Sequence, residues 1–184
     1  MYLARHGQTM FNVIYGETRK DPGIVDPPLT DEGRRQAEAL AADLKNRGIS
    51  RLICSPYTRA LETAAICADA LNLACAVEAD VRERTAFFCD IGTAAPDLAA
   101  AWPHLDFARL PELWWNRTEE TVPDFHARCA GFRRAAAALD GWEETAVITH
   151  WGVIRSLTGE RVGNAVAVRF DPNDDHPPLD ETWP

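Results

Sequence analysis

A chain of 184 residues, 46% hydrophobic and 26% charged, is long enough to bury one sizeable core and has the balance of a globular domain. No apolar run approaches the roughly 18 residues of a membrane span. A net charge of −9 lacks the basic footprint that nucleic acid or an anionic membrane requires, so neither is expected as a partner. The five cysteines, Cys54, Cys67, Cys75, Cys89 and Cys129, are odd in number and form no Cys-x-x-Cys pair. That usage predicts reduced thiols and argues against a disulfide framework or a zinc site. No signal-peptide apolar region precedes the first charged residues, which makes a cytoplasmic protein the expectation.

Met1 to Ala4 reads as a short strand that stops at Arg5-His6-Gly7, with the charged pair at its carboxyl end. Residues 12–29, with Gly16, Pro22, Gly23, Pro27 and Pro28, read as a long loop. Its cations Arg19 and Lys20 read as solvated in preference to substrate-facing. Thr30 caps a helix whose apolar positions are Ala37, Leu40, Ala41 and Leu44, and Gly48 ends it. Residues 51–54 form a buried-type strand. Ser55 then reads as the cap of a second helix, with Pro56 at its first position and Arg59 in its first turn. A surface ion pair with Glu62 is the plain alternative for Arg59.

Residues 78–121 lack a clear period and read as a cap-like insertion over a site, although core packing explains some of Phe87, Phe88, Trp114 and Trp115 equally well. Phe125, Cys129, Phe132, Ala136 and Leu139 predict an amphipathic helix ending near Gly141. Residues 145–149 are the clearest strand, ending in His150-Trp151-Gly152, and residues 165–170 suggest a further strand near an edge. The acidic, proline-bearing stretch 171–184 reads as extended or partly disordered. Strands alternating with helices predict a single α/β domain, a three-layer α/β/α sandwich with a mostly parallel central sheet.

Three predicted strands end in reactive residues: Arg5-His6, Ser55 with Arg59, and His150. In one sheet these meet at the carboxyl edge, where open α/β sheets bind ligands. Two histidines at strand ends are also compatible with a metal. However, a metal site wants a third ligand and few cations, whereas two arginines beside the pair favour phosphate. No metal and no cofactor are expected.

Arg5-His6-Gly7-Gln8-Thr9, Asn12, Leu29-Thr30-Asp31-Glu32-Gly33, Gln36-Ala37, Ser55-Pro56-Tyr57-Thr58-Arg59-Ala60, Thr63-Ala64, Arg82-Glu83 and Thr149-His150 occur in that order. The set resembles the histidine phosphatase superfamily, in its phosphoglycerate-mutase-like branch, over about residues 1–170. The resemblance implies that His6 is the nucleophile and that Arg5, Arg59 and His150 form the phosphate pocket. It also implies that Glu83 is the general acid and base, with Asp90 the carboxylate to test next. Asn12 and Trp151 complete the expected binding set. A Glu between Arg82 and Arg84 needs burial or a close phosphate to hold a proton.

Two departures stand out. Trp151 replaces the usual small residue after His150, implying a reshaped pocket wall. The run Thr85 to Gly92 lacks the glycines and acidic-Gly pair many members carry there. The expected function is metal-independent hydrolysis of small phosphomonoesters through phosphohistidine. A phosphoglycerate mutase and an idle phosphate-binding domain are the rivals. Oligomeric state and natural substrate are not readable from the sequence.

Overall fold

The computed structural model describes residues 1–179. Five strands, β1 (Tyr2–Arg5), β2 (Arg51–Cys54), β3 (Cys75–Val77), β4 (Thr145–Thr149) and β5 (Ala167–Arg169), form one sheet in the order β3-β2-β4-β1-β5. All pairings are parallel except that of β1 with β5, which lies antiparallel at the edge. Six α-helices accompany them: α1 (Met10–Thr18), α2 (Asp31–Lys45), α3 (Thr58–Leu71), α4 (Ala95–Ala101), α5 (Val122–Ala137) and α6 (Trp151–Thr158).

Side-chain alternation along the strands sorts the core into two halves. Ala4, Ala146 and Ile148 point into a cluster with Leu40, Leu44, Leu61 and Leu98 of α2, α3 and α4. Leu3 and Val147 point the other way, onto Phe125, Phe132, Ile154 and Leu157 of α5 and α6. Helices therefore cover both faces, as expected for a mostly parallel sheet. β4 is buried along its whole length, which is why its sequence is apolar without alternation.

Several boundaries differ from the sequence reading. Residues 12–18, read as loop, belong to the helix α1 that begins at Met10. Thr9 caps it in a reciprocal box with Asn12, where an Asn takes the place of the usual Glu or Gln. Ser55 does not cap α3. The helix begins at Thr58, and Asp26 caps it from a distance, accepting from the Thr58 backbone N–H at 3.0 Å and its hydroxyl at 2.7 Å. Asp26 also accepts from Thr93 at 2.7 Å, so one buried carboxylate joins the loop before α2, the start of α3 and the 78–121 segment. β3, α4 and α6 carried too few periodic positions to be read. Residues 171–174 are tied to α5, where Arg133 donates to the carbonyls of Asp171 and Asp174. The remainder of the predicted extended tail, residues 180–184, lies outside the described residues.

The motif glycines have a steric basis. A Cβ on Gly7 would sit 2.4 Å from the Gly33 carbonyl oxygen, and one on Gly33 would sit 2.1 Å from that of Gln8. The turn after β1 and the first turn of α2 thus touch backbone to backbone, and Thr30 and Gly33 allow it. Gly33→Ala should lose about 1–3 kcal/mol of stability in urea unfolding. Gly16→Ala, mid-helix with nothing within 4 Å, should gain up to about 1 kcal/mol. A Gly33→Ala loss under about 0.5 kcal/mol would show that the contact yields easily.

Candidate active site

The three strands that end in reactive residues are neighbours, in the order β2-β4-β1. Ladder bonds continue one residue past their ends: the His6 N–H donates to Thr149 O and the Ser55 N–H to Ile148 O, both at 3.0 Å. Arg5-His6, Ser55 and His150 are therefore held by the sheet itself. The His6 and His150 ring centres lie 5.2 Å apart.

His6 is 4% exposed, and its Nδ1 lies 2.7 Å from the carbonyl oxygen of Gly7. A carbonyl only accepts, so Nδ1 carries the proton and Nε2 carries the lone pair. Burial, with Arg59 and then Arg5 nearby, pushes the His6 pKa well below its ordinary 6.5. The ring is neutral and nucleophilic at pH 7. Arg5 gives Nη1 to Val162 O at 3.0 Å, and its other fork atoms have no protein partner among the described residues. Burial, with Arg59 adding to it, brings the Arg5 pKa down to about 10, which keeps it cationic.

Arg59 is not a surface residue and does not pair with Glu62, which instead binds Arg34 and the Leu29 N–H. At 3% exposure it donates Nη1 to Cys89 O at 2.7 Å and Nη2 to Asp90 at 3.1 Å. Its guanidinium lies over the Tyr57 ring at 4.2 Å. Burial alone would lower its pKa, but Cys89 and the Asp90 carboxylate turn the net direction upward.

His150 is fully buried behind His6. Its Nε2 lies 2.7 Å from Ser55 Oγ, which also receives the Tyr57 N–H at 3.5 Å. If the serine hydroxyl donates to Nε2, Nδ1 carries the proton. That Nδ1 has no partner among the described residues, which leaves one buried donor for an anion. Burial, reinforced by Arg59, His6 and Arg5, holds His150 well below 6.5.

Glu83 accepts from the N–H groups of Arg84, at 2.9 Å, and Gly152, at 3.0 Å, the second from the first turn of α6. Burial, then the nearby Asp90 carboxylate, raises its pKa above 4.5 in spite of those donors and Arg59. Its sequence neighbours do not neutralise it at close range: Arg82 pairs with Glu120 and Arg84 with Glu119. Arg128 of α5 holds the backbone there, donating to the carbonyls of Asp80, Arg82 and Glu83 while bound to Glu120 by two bonds. Asp90, the alternative acid, is 1% exposed, receives Arg59, Cys89 and the N–H groups of Ala86 and Phe87, and burial raises its pKa as well, but it is the carboxylate ion-paired to Arg59.

Arg5, His6, Arg59, Glu83, Asp90, Asn12 and Trp151 all line one cavity of ≈ 770 Å³. Asn12 Oδ1 is taken by Thr9 and Asn164, leaving its amide N–H groups for a ligand. His150 stands behind the cavity wall and does not line it. Arg19 and Lys20 are both exposed, as read, but Arg19 also edges the cavity and lies over Tyr15 at 4.6 Å, whereas Lys20 does not line it. Arg155, Arg161, Asn164, Phe11 and Tyr15 were missed. The i, i+4 spacings of Phe11 with Tyr15 and Trp151 with Arg155 were the available signal, once α1 and α6 are known as helices. Among the described residues no three His, Cys, Asp or Glu side chains gather to hold a metal. Cys54 is fully buried, with its pKa pushed well above 9.0 by Cys75 and by burial.

The profile of the histidine phosphatase superfamily, branch 1, matches residues 1–170. The chain belongs to that superfamily. A probable phosphoglycerate mutase of Yersinia pestis is 40% identical over 83 residues, which is 45% of this chain and 37% of the relative. The match thus spans little more than a third of that protein. A mycobacterial glucosyl-3-phosphoglycerate phosphatase solved with VO3 is 24% identical, with a TM-score of 0.63 over 91% of this chain and 88% of the other. The ecdysone phosphate phosphatase of Bombix mori, solved with tungstate, is 20% identical, with a TM-score of 0.67 over 100% and 95%. These structures share the three-layer fold.

The two buried neutral histidines set a pH dependence. Below about 6.5 the unfolded chain binds protons on both rings and the folded chain does not, so acid favours unfolding. Stability should rise from pH 5 to 6.5 and level off above. Each ring contributes up to about 1.4 kcal/mol per pH unit. His6→Asn should remove one proton of this linkage, read from urea unfolding at pH 5, 6 and 7. Wild-type and variant slopes that coincide would mean that His6 is protonated in the folded state.

Proposed function

We propose that the chain is a phosphomonoester hydrolase that works through phosphohistidine on His6. The observation that carries this reading is the neutral His6 ring, its proton fixed on Nδ1 by Gly7 and its Nε2 lone pair available beside Arg5 and Arg59. Nε2 attacks phosphorus, and the ester P–O bond breaks with its electrons going to the leaving oxygen. Glu83, whose raised pKa suits a proton donor, protonates that oxygen. The resulting carboxylate then takes a proton from water, which attacks phosphorus and breaks the P–N bond. Arg5 and Arg59 offset the charge spread over the equatorial oxygens, and the neutral His150 ring offers its Nδ1–H from behind them. Residues 78–121 act as the cap, contributing Glu83, Phe87 and Asp90 to the cavity wall. Asn12 and Trp151 bind the substrate.

A mutase reading has one observation in its favour. The cavity wall carries Arg19, Arg84, Arg155 and Arg161 beyond the two arginines at His6, and such a wall suits a doubly anionic ligand. The hydrolase reading is preferred because the exposed residues Gly16, Arg19 and Arg161 edge the cavity, which gives water a route to compete for the phosphoenzyme. Supplying 3-phosphoglycerate with and without a bisphosphoglycerate primer, while following 2-phosphoglycerate and free phosphate, tests it together with His6→Ala on 4-nitrophenyl phosphate. Phosphate release should dominate, and His6→Ala should lose on the order of 10³-fold or more in turnover. Rapid quench should trap an acid-labile, alkali-stable phosphate on His6. Fast isomerisation with negligible phosphate would establish the mutase, and an active His6→Ala enzyme would remove the nucleophile assignment.

Glu83→Gln should slow alkyl esters far more than 4-nitrophenyl phosphate, because an alkoxide needs a proton on leaving and a nitrophenolate does not. The measurement is kcat on both ester types. Equal losses would take the acid role from Glu83.

A further inference from the structure

The cavity in front of His6 is far larger than a phosphate group requires. Its ≈ 770 Å³ falls in the range of pockets that enclose most of a small-molecule ligand. Part of its wall is a set of stacked rings. Phe11 and Tyr15, one turn apart on α1, stack with ring centres 5.2 Å apart and planes 11° apart. Phe87 reaches them from the segment after Glu83, with its ring 5.5 Å from Phe11 and 5.1 Å from Tyr15. Core packing accounts for Phe11, which is 8% exposed, but Tyr15 and Phe87 are only half-buried and keep surface on the cavity. Trp151 adds a fourth ring.

The arginines nearby do not make this wall hostile to a ring. Arg19 lies over Tyr15 at 4.6 Å and Arg155 over Trp151 at 5.1 Å, so both guanidinium groups sit against aromatic faces. Apolar surface also continues past Phe87. That residue borders a second cavity of ≈ 430 Å³, lined by Phe88, Ile91, Leu113 and Trp115, and Phe88 is 55% exposed.

We propose that the substrate is the phosphomonoester of a bulky alcohol bearing a flat apolar ring system, which lies against Phe11, Tyr15, Phe87 and Trp151. The inference rests on the hydrolase reading above. A small polyhydroxy acid leaves these rings in contact with water. A flat ring buries them and gains aromatic contacts that a polar alcohol lacks. Phe87 is the specificity-determining residue, because it alone among these rings borders both cavities.

The test compares kcat/KM for ethyl, benzyl and 2-naphthylmethyl phosphate. All three leave as alkoxides of similar basicity, so the chemical step is matched and the difference reports recognition of the alcohol. Efficiency should rise in that order, by roughly 10- to 100-fold from ethyl to naphthylmethyl. Phe87→Ala and Tyr15→Ala should each shrink the ratio several-fold. The ratio is insensitive to how much of a variant is folded, since misfolded protein lowers all three rates equally. Equal efficiency on the three esters overturns the proposal, as does a preference that survives both substitutions. No phosphate release from any ester, 4-nitrophenyl phosphate included, overturns the hydrolase reading and this inference with it.

Discussion

The candidate site depends on one buried guanidinium. Arg59 leaves the first turn of α3 and binds Asp90 and the Cys89 carbonyl, which joins that helix to the 78–121 segment. The same charge faces His6 and His150 and helps to keep both rings neutral. It also opposes the rise in the Glu83 pKa. A cation this deep is tolerable only because Asp90 and a carbonyl meet it. Removing one partner of such a buried pair typically costs on the order of 3–5 kcal/mol. Structure and electrostatics at this site are therefore linked: the guanidinium that fastens the segment also adds to the burial that keeps the two histidines neutral.

The sheet supplies the remaining precision. β1, β2 and β4 are far apart in sequence and adjacent in space, and their last ladder bonds reach His6 and Ser55. Ser55 then holds His150, and Tyr57 packs against it edge-on at 5.2 Å. Tyr57 is itself backed by Trp114 at 4.6 Å and donates its hydroxyl to Asp90 O at 2.6 Å. Side chains set on strand ends and locked from behind have little freedom, which is what a phosphate pocket needs.

The 78–121 segment contributes in two unlike ways. Its buried part, with Trp114, Asp90 and the backbone gripped by Arg128, supports the site. Its outer part, with the half-buried Phe87 and the exposed Phe88, lines the two cavities. Structural relatives at 24% and 20% identity keep the fold, and their printed names belong to phosphatases of very different alcohols.

Much of this was legible in the residues themselves. The apolar run of β4, the cap at Thr30, and the strand endings at His6, Ser55 and His150 are local signals, and local physics writes them directly into the chain. Order of motifs identified the family. What escaped is non-local or too short to show a period. The helix at residues 10–18 hides behind an unusual Thr9–Asn12 box, and β3 spans three residues. The cap of α3 comes from Asp26, thirty-two residues before Thr58. The sequence placed Arg59 at the site but not its pairing, because its partner Asp90 is thirty-one residues away and only the folded segment brings it there. Sequence alone thus determined the family and which reactive residues stand at the strand ends, since those residues have recognisable neighbours. Only the tertiary structure decided which charges pair, which proton His6 keeps and which rings face the cavity, because each depends on burial and on contacts between distant segments.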